Sequence, residues 1–268
     1  MFFEQVPAEG TTESVYRLFN LVDWITQRYT LSGGSYACVL LAGILACMII
    51  PYLLGSINPA ILISKLIYKE DIRNFGSGNA GTTNMLRTYG KKAALATFLL
   101  DLSKAAVACF VGLLIWEMNG LGFAGLFVVI GHMFPIFEKF RGGKGVACLT
   151  VVALITSMFT NTFLAPFVPF AFFFLLLVFI IILVGTRYVS MASIAAAFLY
   201  PVLLTSLSGE NAGFCGASAV LCACLVIFKH RENFKRIRER TEHQISFSKT
   251  SKKKIDGGDA SDGNGESS

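Results

Sequence analysis

The sequence predicts an all-α integral membrane protein with about seven transmembrane helices, its N-terminus outside and its C-terminus in the cytoplasm. Three observations predict this class: the composition, the length of the uncharged runs and the distribution of Lys and Arg. Hydrophobic residues make up 54% of the 268 residues, charged residues only 15%, and the mean hydropathy is +0.62. Soluble domains carry about 25% charged residues, so this chain has too few charges to cover a surface that faces water.

Long runs without a charged side chain provide the predicted helices. About 20 apolar residues are needed to cross the hydrocarbon core of a membrane. The run from Val146 to Thr186 is about twice that length, so we expect two helices that turn near Asn161 and Thr162. The seven predicted spans are residues 36–56, 93–116, 119–137, 145–159, 162–184, 189–207 and 212–229.

The basic residues predict the orientation, because Lys and Arg are concentrated in the cytoplasmic loops of membrane proteins. With the N-terminus outside, the inner segments hold all but three of the 23 Lys and Arg residues. The exceptions are Arg17 and Arg28 before the first span and Lys104 within a span. The net charge of +6 therefore reflects membrane topology, and no nucleic acid is expected as a partner.

The two ends of the chain differ from the predicted seven-helix domain at residues 36–229. Residues 1–35 lack the basic region of a signal peptide, and their apolar residues at helical spacing predict an amphipathic helix on the outer membrane surface. Residues 230–246 are a predicted cytoplasmic helical extension, and residues 247–268 a disordered polar tail. The apolar residues of the N-terminal helix are Val15, Leu18, Val22, Ile25 and Tyr29.

The inner loop at residues 76–87 is dense in hydrogen-bond donors. Its sequence, Gly-Ser-Gly-Asn-Ala-Gly-Thr-Thr-Asn-Met-Leu-Arg, combines three glycines with neutral polar side chains. Backbone N–H groups in such a segment can surround a phosphate, and Arg87 can meet two phosphate oxygens with its planar guanidinium. A flexible solvated turn is the alternative, but a turn needs fewer donors.

Gly142-Gly143-Lys144-Gly145 opens the fourth predicted span. Glycines before a helix N-terminus are typical of an anion site, although a basic turn beside the membrane has a similar composition. The segment is not a Walker A loop, because Glu138 and Gly145 stand where that motif needs Gly and Ser or Thr. ATP or GTP hydrolysis is therefore not expected.

Several other groups are candidates for chemistry or packing. His230 and Asn233 share a helical face where the last span ends, a pattern that taken alone favours an interfacial helix end. Asp101 and Lys104, an ionisable pair within a span, can neutralise each other; they either hold helices together or line a polar cavity. His132 and the seven cysteines are interpreted as packing residues, and no metal site is expected because zinc-type spacing is absent.

Taken together, these segments resemble the PlsY family of acyl-phosphate:glycerol-3-phosphate acyltransferases over roughly residues 36–246. Their order and spacing carry the resemblance. The N-terminal extension and the C-terminal tail lie outside it. The matching segments are Gly55-Ser56-Ile57, residues 77–87, Asp101-Leu102-Ser103-Lys104, residues 131–145 and Lys229-His230-Arg231-Glu232-Asn233.

The resemblance implies transfer of a fatty acyl group from acyl phosphate to the 1-hydroxyl of sn-glycerol 3-phosphate, giving lysophosphatidic acid and phosphate. It also implies a bacterial inner membrane, an active site that faces the cytoplasm, and no metal or other cofactor. We expect a monomer surrounded by membrane lipid. The positions implied as needed for activity are Ser77, Arg87, His230 and Asn233. Those implied in substrate binding are Gly78, Asn79, Thr83, Asn84, Gly142, Gly143, Lys144, Gly145 and Ser190. Those implied as structural are Asp101, Lys104 and Glu232.

The residues support a mechanism that needs no protein nucleophile, because the acyl donor is already activated and the enzyme can work by positioning and charge stabilisation. Lys144, Arg87, His230 and Asn233 would hold glycerol phosphate, whereas Ser77 and N–H groups of residues 78–84 would hold the acyl-phosphate headgroup. Whether His230 is a base or a ligand stays open.

Other classes fit the sequence less well. A transporter of phosphate or another small solute is the main alternative; it would favour polar residues through the bilayer depth and an inverted repeat. A membrane scaffold is a third interpretation. An acyl-CoA enzyme of the His-x4-Asp type is excluded because none of the three His residues has Asp at that spacing.

Overall fold

The computed structural model describes residues 3–7, 14–18, 20–159, 168–208 and 213–245. Apolar helices form most of this part of the chain. Two short strands, β1 (Phe3–Pro7) and β2 (Ser14–Leu18), pair antiparallel near the N-terminus. The helices are α1 (Leu21–Arg28), α2 (Gly33–Ser56), α3 (Pro59–Ile67), α4 (Thr82–Tyr89), α5 (Lys91–Met133), α6 (Val146–Phe159), α7 (Val168–Thr186), α8 (Val189–Ser208), α9 (Gly213–Lys229) and α10 (Arg231–Arg238).

Within the described ranges, three helical stretches are long and apolar enough to cross a membrane: Gly33–Ile67, Lys91–Glu138 and Val189–Leu207. Helices α9 and α10, bent by 45° at their junction, would count as a fourth if they form one span. Helix α6 and the Ala171–Thr186 part of α7 are apolar but shorter. The predicted helical class is confirmed, apart from the strand pair, while the count of seven spans stays a prediction.

Helix α5 contains a chain reversal. Trp116 and Glu117 have non-helical backbone angles, at the edge of the turn that the sequence predicts at residues 117–119. A Cβ on Gly112 would collide with the carbonyl oxygen of Gly120 and with Ala124. Positions twelve residues apart on a straight helix are about 18 Å apart, so the two halves of α5 must fold back against each other.

Most other predicted helix bounds agree with the structure within a few residues, but helices α3 and α4 were not predicted. Asn58 caps α3, because its side-chain oxygen accepts a hydrogen bond from the Ile61 N–H at 3.1 Å, and Pro59 begins it. Both helices lie near residues 72–81, at what we call the loop end of the bundle. The predicted turn at Asn161 and Thr162 lies outside the described residues, as does the predicted tail at 247–268.

The N-terminal segment corrects the prediction of one continuous amphipathic helix. Val15 and Leu18 belong to β2, and α1 starts only after Asn20, whose side chain accepts a hydrogen bond from the Asp23 N–H at 3.1 Å. This cap sets the start of the helix. Val22, only 2% exposed, packs with Cys47 and Ile115 beside the reversal in α5. A position on the outer membrane surface stays a prediction.

Small side chains fill the core between α5, α6, α8 and α9, where Ala, Cys and Val allow close helix packing. Five of the cysteines are buried, and all seven are free thiols. At the loop end, a Cβ on Gly131 would collide with the Tyr52 carbonyl oxygen. This close approach sets α2 directly against the second half of α5 beneath the loops.

Candidate active site

A cavity of ≈ 440 Å³ opens among the loop end, α6, α7, α8 and α10. Polar side chains line it near the loops, and apolar side chains line the part between α6, α7 and α8. Predicted site residues from five separate stretches of the sequence meet there. The predicted site residues in the lining are Ser77, Asn79, Thr83, Arg87, Asp101, Lys144, Gly145, Ser190, His230 and Asn233.

Asn84 shapes the loop at residues 76–87 from inside. Its side-chain oxygen accepts a hydrogen bond from the Ser77 N–H at 2.9 Å, while its amide donates to the carbonyls of Ile72 and Phe75 at 3.2 and 2.9 Å. The residue is 1% exposed, and a Cβ on Gly76 would collide with it. Asn84, predicted to bind substrate, is instead placed to position Ser77.

The N-terminus of α4 faces the cavity. Gly81 precedes the helix and gives no side-chain cap, so the first N–H groups of α4 are available to an anion. Thr82 and Thr83 line the cavity, and the Thr82 hydroxyl is a buried atom without a hydrogen-bond partner. Sequence reasoning did not single out Thr82. Gly78, predicted to donate its N–H, uses that group on the Phe75 carbonyl at 3.0 Å.

Arg87 lies four residues after Thr83, on the same face of α4. Its side chain reaches the cavity, and the described residues offer it no hydrogen-bond or ion-pair partner. A guanidinium held at a cavity wall without a protein carboxylate is suited to an anionic ligand.

Gly142 and Gly143 serve close packing. A Cβ on Gly142 would collide with the His132 carbonyl oxygen, and a Cβ on Gly143 would collide with the His132 ring. Their N–H groups donate to the carbonyls of Met133 and His132 at 3.3 and 3.1 Å. The predicted anion nest is therefore not formed by these two glycines, which instead present Lys144 to the cavity.

Lys144 belongs to a hydrogen-bonded network. Its ammonium donates to the side-chain oxygen of Asn233, and the Asn233 amide donates to Glu242 at 2.5 Å. The same Glu242 oxygen accepts from the Ser190 hydroxyl at 3.1 Å, and its other oxygen accepts from Arg236 at 2.8 Å. This network fixes the predicted residues Lys144, Ser190 and Asn233 relative to one another.

Glu242 and its neighbours were missed by sequence reasoning. After α10 the chain turns back, and the Ile245 N–H donates to the Arg187 carbonyl at 2.9 Å, which attaches this segment to the turn between α7 and α8. Glu232, predicted to be structural, has a side chain that is 64% exposed and lies 3.8 Å from Arg231. The contacts expected of a structural carboxylate belong to Glu242.

Burial lowers the pKa of two basic groups in the cavity wall, Lys144 and His230. It lowers the pKa of Lys144 to about 8, and the cations of Arg236 and Arg87 act in the same direction against Glu242. It lowers the pKa of His230 to about 4, helped by the charge of Lys144. The Nδ1 of His230 lies 2.7 Å from the Val226 carbonyl, which can only accept, so Nδ1 carries the proton and Nε2 is an acceptor.

Asp101, Lys104 and His132 form a buried polar cluster under the loops. The Lys104 ammonium lies 2.8 Å from Asp101 Oδ1 and 3.0 Å from His132 Nδ1, and it donates to the carbonyls of Gly55 and Ile57 at 3.0 and 2.7 Å. It thereby joins the C-terminus of α2 to both halves of α5. Asp101 both pairs with Lys104 and lines the cavity, so the two predicted alternatives coexist.

The ligand atoms of Asp101, His132 and Cys148 lie within 4.8 Å of one another, a spacing that a metal site also has. The Lys104 ammonium contacts two of these three groups. A second cation there would be repelled by this charge, so these residues do not suit a metal ion.

Comparisons with known proteins identify similar sequences and structures. A model of the family "Glycerol-3-phosphate acyltransferase" matches residues 45–240. Relatives of that name include proteins from Finegoldia magna, 36% identical over 200 residues, and Thermoanaerobacter pseudethanolicus, 40% identical over 197 residues. Each of these covers 74% of this chain and 93% of the relative. A relative from Bacillus cereus is 41% identical over 205 residues, or 76% of this chain and 96% of its own.

Two solved structures are similar in fold. One is PlsY, an integral membrane glycerol 3-phosphate acyltransferase, in its glycerol 3-phosphate form, with a TM-score of 0.66 and 35% identity over 76% of this chain and 96% of that chain. The other is PlsY in its lysophosphatidic acid form, with a TM-score of 0.62 and 34% identity over 76% and 95%. This likeness to an integral membrane protein agrees with the membrane class that the apolar helices indicate.

Proposed function

The chain belongs to the glycerol-3-phosphate acyltransferase family of the PlsY type, and we propose that it transfers a fatty acyl group from acyl phosphate to the 1-hydroxyl of sn-glycerol 3-phosphate. The products would be lysophosphatidic acid and inorganic phosphate. The observation that carries this proposal is the cavity, which joins a cationic, donor-rich end to an apolar part between helices. Such a shape suits the union of a polar phosphate compound with a lipid chain.

Glycerol 3-phosphate fits the cationic end. Arg87 offers a guanidinium that no described residue pairs with, and Lys144 offers an ammonium beside the amide of Asn233. His230 adds an acceptor at Nε2, which suits a glycerol hydroxyl better than a phosphate. These groups come from three elements that the Glu242 network and the loop at 76–87 hold in place.

The headgroup of the acyl phosphate fits the N-terminus of α4. Free N–H groups at a helix start and the helix dipole both favour an anion. The hydroxyls of Ser77, Thr82 and Thr83 add neutral donors, and the Thr82 hydroxyl has no hydrogen-bond partner among the described residues. The acyl chain would then extend along the apolar part of the cavity.

In the reaction, the 1-hydroxyl oxygen attacks the acyl carbonyl carbon, the new ester bond forms, and the bond to phosphate breaks. The hydroxyl proton passes to a phosphate oxygen or to Nε2 of His230. Inorganic phosphate is the leaving group, so no covalent enzyme intermediate is needed, and no cysteine is found among the described residues of the lining. The protein contributes orientation and charge stabilisation.

The membrane arrangement is part of the proposal. We place seven spans in the inner membrane of a bacterium, with the loop end and the C-terminus in the cytoplasm. The predicted spans and the concentration of cations beyond them support this orientation. We propose a monomer as the active unit.

A purified-enzyme assay tests the proposal. Radiolabelled glycerol 3-phosphate is supplied with palmitoyl phosphate or, separately, palmitoyl-CoA, and lysophosphatidic acid is measured. Product from palmitoyl phosphate alone is expected. Absence of product with both donors would reject the acyltransfer proposal and revive the transporter alternative, whereas product only from palmitoyl-CoA would reject the donor.

Variants at Arg87 test the assignment of the cationic end. Arg87→Lys keeps the charge but loses the planar pair of donors, and hydrogen bonds to charged groups contribute about 1.5 to 3 kcal/mol. We therefore expect a drop in kcat/KM for glycerol 3-phosphate of roughly tenfold to a hundredfold. Arg238→Lys, an exposed change on α10 away from the cavity, is the matched control. Near wild-type turnover in Arg87→Lys would remove Arg87 from the site.

A further inference from the structure

The apolar part of the cavity is a slot between α6, α7 and α8. Its α8 wall is one helix face, formed by positions three or four residues apart. From Ser190 onward the side chains on this face are small, and Tyr200 is the first large one. The α7 wall opposite is large and apolar. The α8 positions on this face are Ser190, Ser193, Ala196, Ala197 and Tyr200, with Val189 beside Ser190 at the start of the helix, and the α7 positions are Phe172, Leu175, Leu176, Phe179 and Leu183.

Between Ser190 and Tyr200, the hydroxyls of Ser193 and Thr150 on the slot walls are used within their own helices. Ser193 donates to the Val189 carbonyl at 2.8 Å, and Thr150 donates to the Val146 carbonyl at 2.9 Å. Back-bonding of this kind satisfies the hydroxyl and leaves its carbon atoms facing outward. Below Ser190 the slot therefore suits a hydrocarbon chain and not a hydrated solute.

The length of the slot matches one membrane leaflet. Ser190 belongs to the Glu242 network at the polar end, and Tyr200 follows ten residues later on α8. At about 1.5 Å per residue these positions are about 15 Å apart. Half of a hydrocarbon core of about 30 Å is also about 15 Å, so the slot is as deep as the region that a single lipid tail occupies.

Tyr200 is fixed across the deep part of the slot. Its side chain is 3% exposed, and its hydroxyl lies 2.9 Å from Thr156 Oγ1, which donates in turn to the Val152 carbonyl at 2.8 Å. The phenol ring thus extends from α8 and is held at its far end by α6. Leu203 and Leu204, one turn further along α8, are not in the cavity lining.

We propose that Tyr200, held by Thr156, closes the slot and sets the longest acyl chain that the enzyme uses efficiently. This inference rests on the proposed function, since it assigns the slot to the acyl chain of the donor. Small residues leave space for the chain along α8, and the first large side chain on that face ends it. Tyr200 is a specificity residue at the end of the chain, remote from the reacting atoms.

The test compares acyl phosphates of increasing length, from lauroyl through myristoyl, palmitoyl and stearoyl to arachidoyl phosphate. Tyr200→Ala and Tyr200→Leu both shorten the closing side chain, and the second keeps more of the packing in case the first fails to fold. We expect the ratio of arachidoyl to palmitoyl turnover to rise by roughly tenfold or more, since one misplaced methylene in an apolar pocket typically changes kcat/KM by 10-fold to 200-fold.

Leu204→Ala is the matched control, because Leu204 is equally buried at 4% exposure on the same helix but outside the cavity lining. It should lower thermal stability without moving the chain-length profile. An unchanged profile in folded Tyr200→Leu, or an equal shift in Leu204→Ala, would overturn the inference. If wild-type protein made no product from any acyl phosphate, the proposed donor would fail instead, so the two failures are distinguishable.

Discussion

At the residue scale, Lys144 and His230 lie in one cavity wall, and burial leaves one charged and the other neutral. A pKa of about 8 keeps most Lys144 side chains protonated at neutral pH, whereas a pKa of about 4 keeps His230 neutral. The wall therefore offers a cation and a lone-pair acceptor side by side. This combination would suit the proposed substrate, which has both a phosphate and hydroxyl groups.

The lowered pKa of Lys144 gives a pH prediction. The ammonium is present below a pH of about 8 and is lost as the pH rises through that value. Because kcat/KM reports groups of the free enzyme, we expect kcat/KM for glycerol 3-phosphate to fall above a pH of about 8. Lys144→Arg, which stays charged throughout, should lose this alkaline fall even if its activity is lower. If Lys144→Arg showed the same fall in kcat/KM above a pH of about 8, the fall would belong to another ionisable group.

Which site residues the sequence reveals depends on whether their role is local. Arg87 and Lys144 stand in glycine-rich polar segments, so residue type and position indicated an anion site there, whereas Asn233 was assigned to the site only through the family resemblance. Glu242 was missed because its contacts arise only when the chain turns back after α10. Gly142 was assigned to an anion nest because a sequence does not show that its N–H is already bonded to a carbonyl.

At the element scale, the segment after α10 stabilises the cavity wall through the hydrogen bonds of Glu242. Burial alone would raise the pKa of Glu242, but hydrogen bonds from Arg236 and Asn233 hold it below its usual value. Since the folded-state pKa lies below the unfolded one, the stabilisation is present at neutral pH and is lost as the pH falls through the folded-state pKa.

Glu242→Gln should therefore lower thermal stability at neutral pH. The substitution removes charge-assisted hydrogen bonds, each worth about 1.5 to 3 kcal/mol, while it keeps the size of the side chain. Thermal unfolding in detergent measures the effect, and the difference from wild type should shrink at acidic pH. Glu239→Gln, an exposed carboxylate on the same segment, is the control. Equal stability of both variants at neutral pH would contradict a stabilising role for the hydrogen bonds of Glu242.

The reversal inside α5 gives a second prediction about an element. In Gly112→Ala the new methyl group would collide with the Gly120 carbonyl, so the two halves of α5 would have to separate. Overpacking of this kind typically costs about 1 to 3 kcal/mol. Gly185→Ala is the control, since no atom of the described residues lies within 4 Å of a Cβ there. Thermal unfolding should therefore show a loss for Gly112→Ala, and equal behaviour of the two variants would contradict the close helix packing.

Helices were predictable where an apolar run was long, because membrane spans depend mainly on length and composition. Helices α3 and α4 were missed because each is short; α3 starts at the side-chain cap of Asn58, whereas α4 starts after Gly81, which gives no side-chain cap. The N-terminal strands were missed because apolar spacing continues past Asn20, whereas the cap at that residue separates β2 from α1.

At the scale of the whole molecule, the predicted topology and the proposed catalytic site require the same residues at the same end. Lys144 and Arg87 are among the cations that predict a cytoplasmic loop end, and both line the cavity. A cytoplasmic site would receive glycerol phosphate from water, while the slot along α8 would receive the acyl chain from the bilayer. Positive charge alone therefore does not separate an orientation signal from a catalytic one.

Reporter fusions separate these two roles, because they measure orientation without any need for activity. Alkaline phosphatase joined after residue 118, in the predicted outer turn, should be active outside the inner membrane, whereas the same enzyme joined after Lys92 or at the C-terminus should be inactive. A fluorescent protein that matures only in the cytoplasm should give the opposite pattern.

Replacing Lys144 and Arg87 by Gln should abolish acyl transfer but leave the reporter pattern unchanged, since most basic residues of the inner segments remain. An active phosphatase at the C-terminus would contradict an odd number of spans with the N-terminus outside, and with it the cytoplasmic position of the cavity.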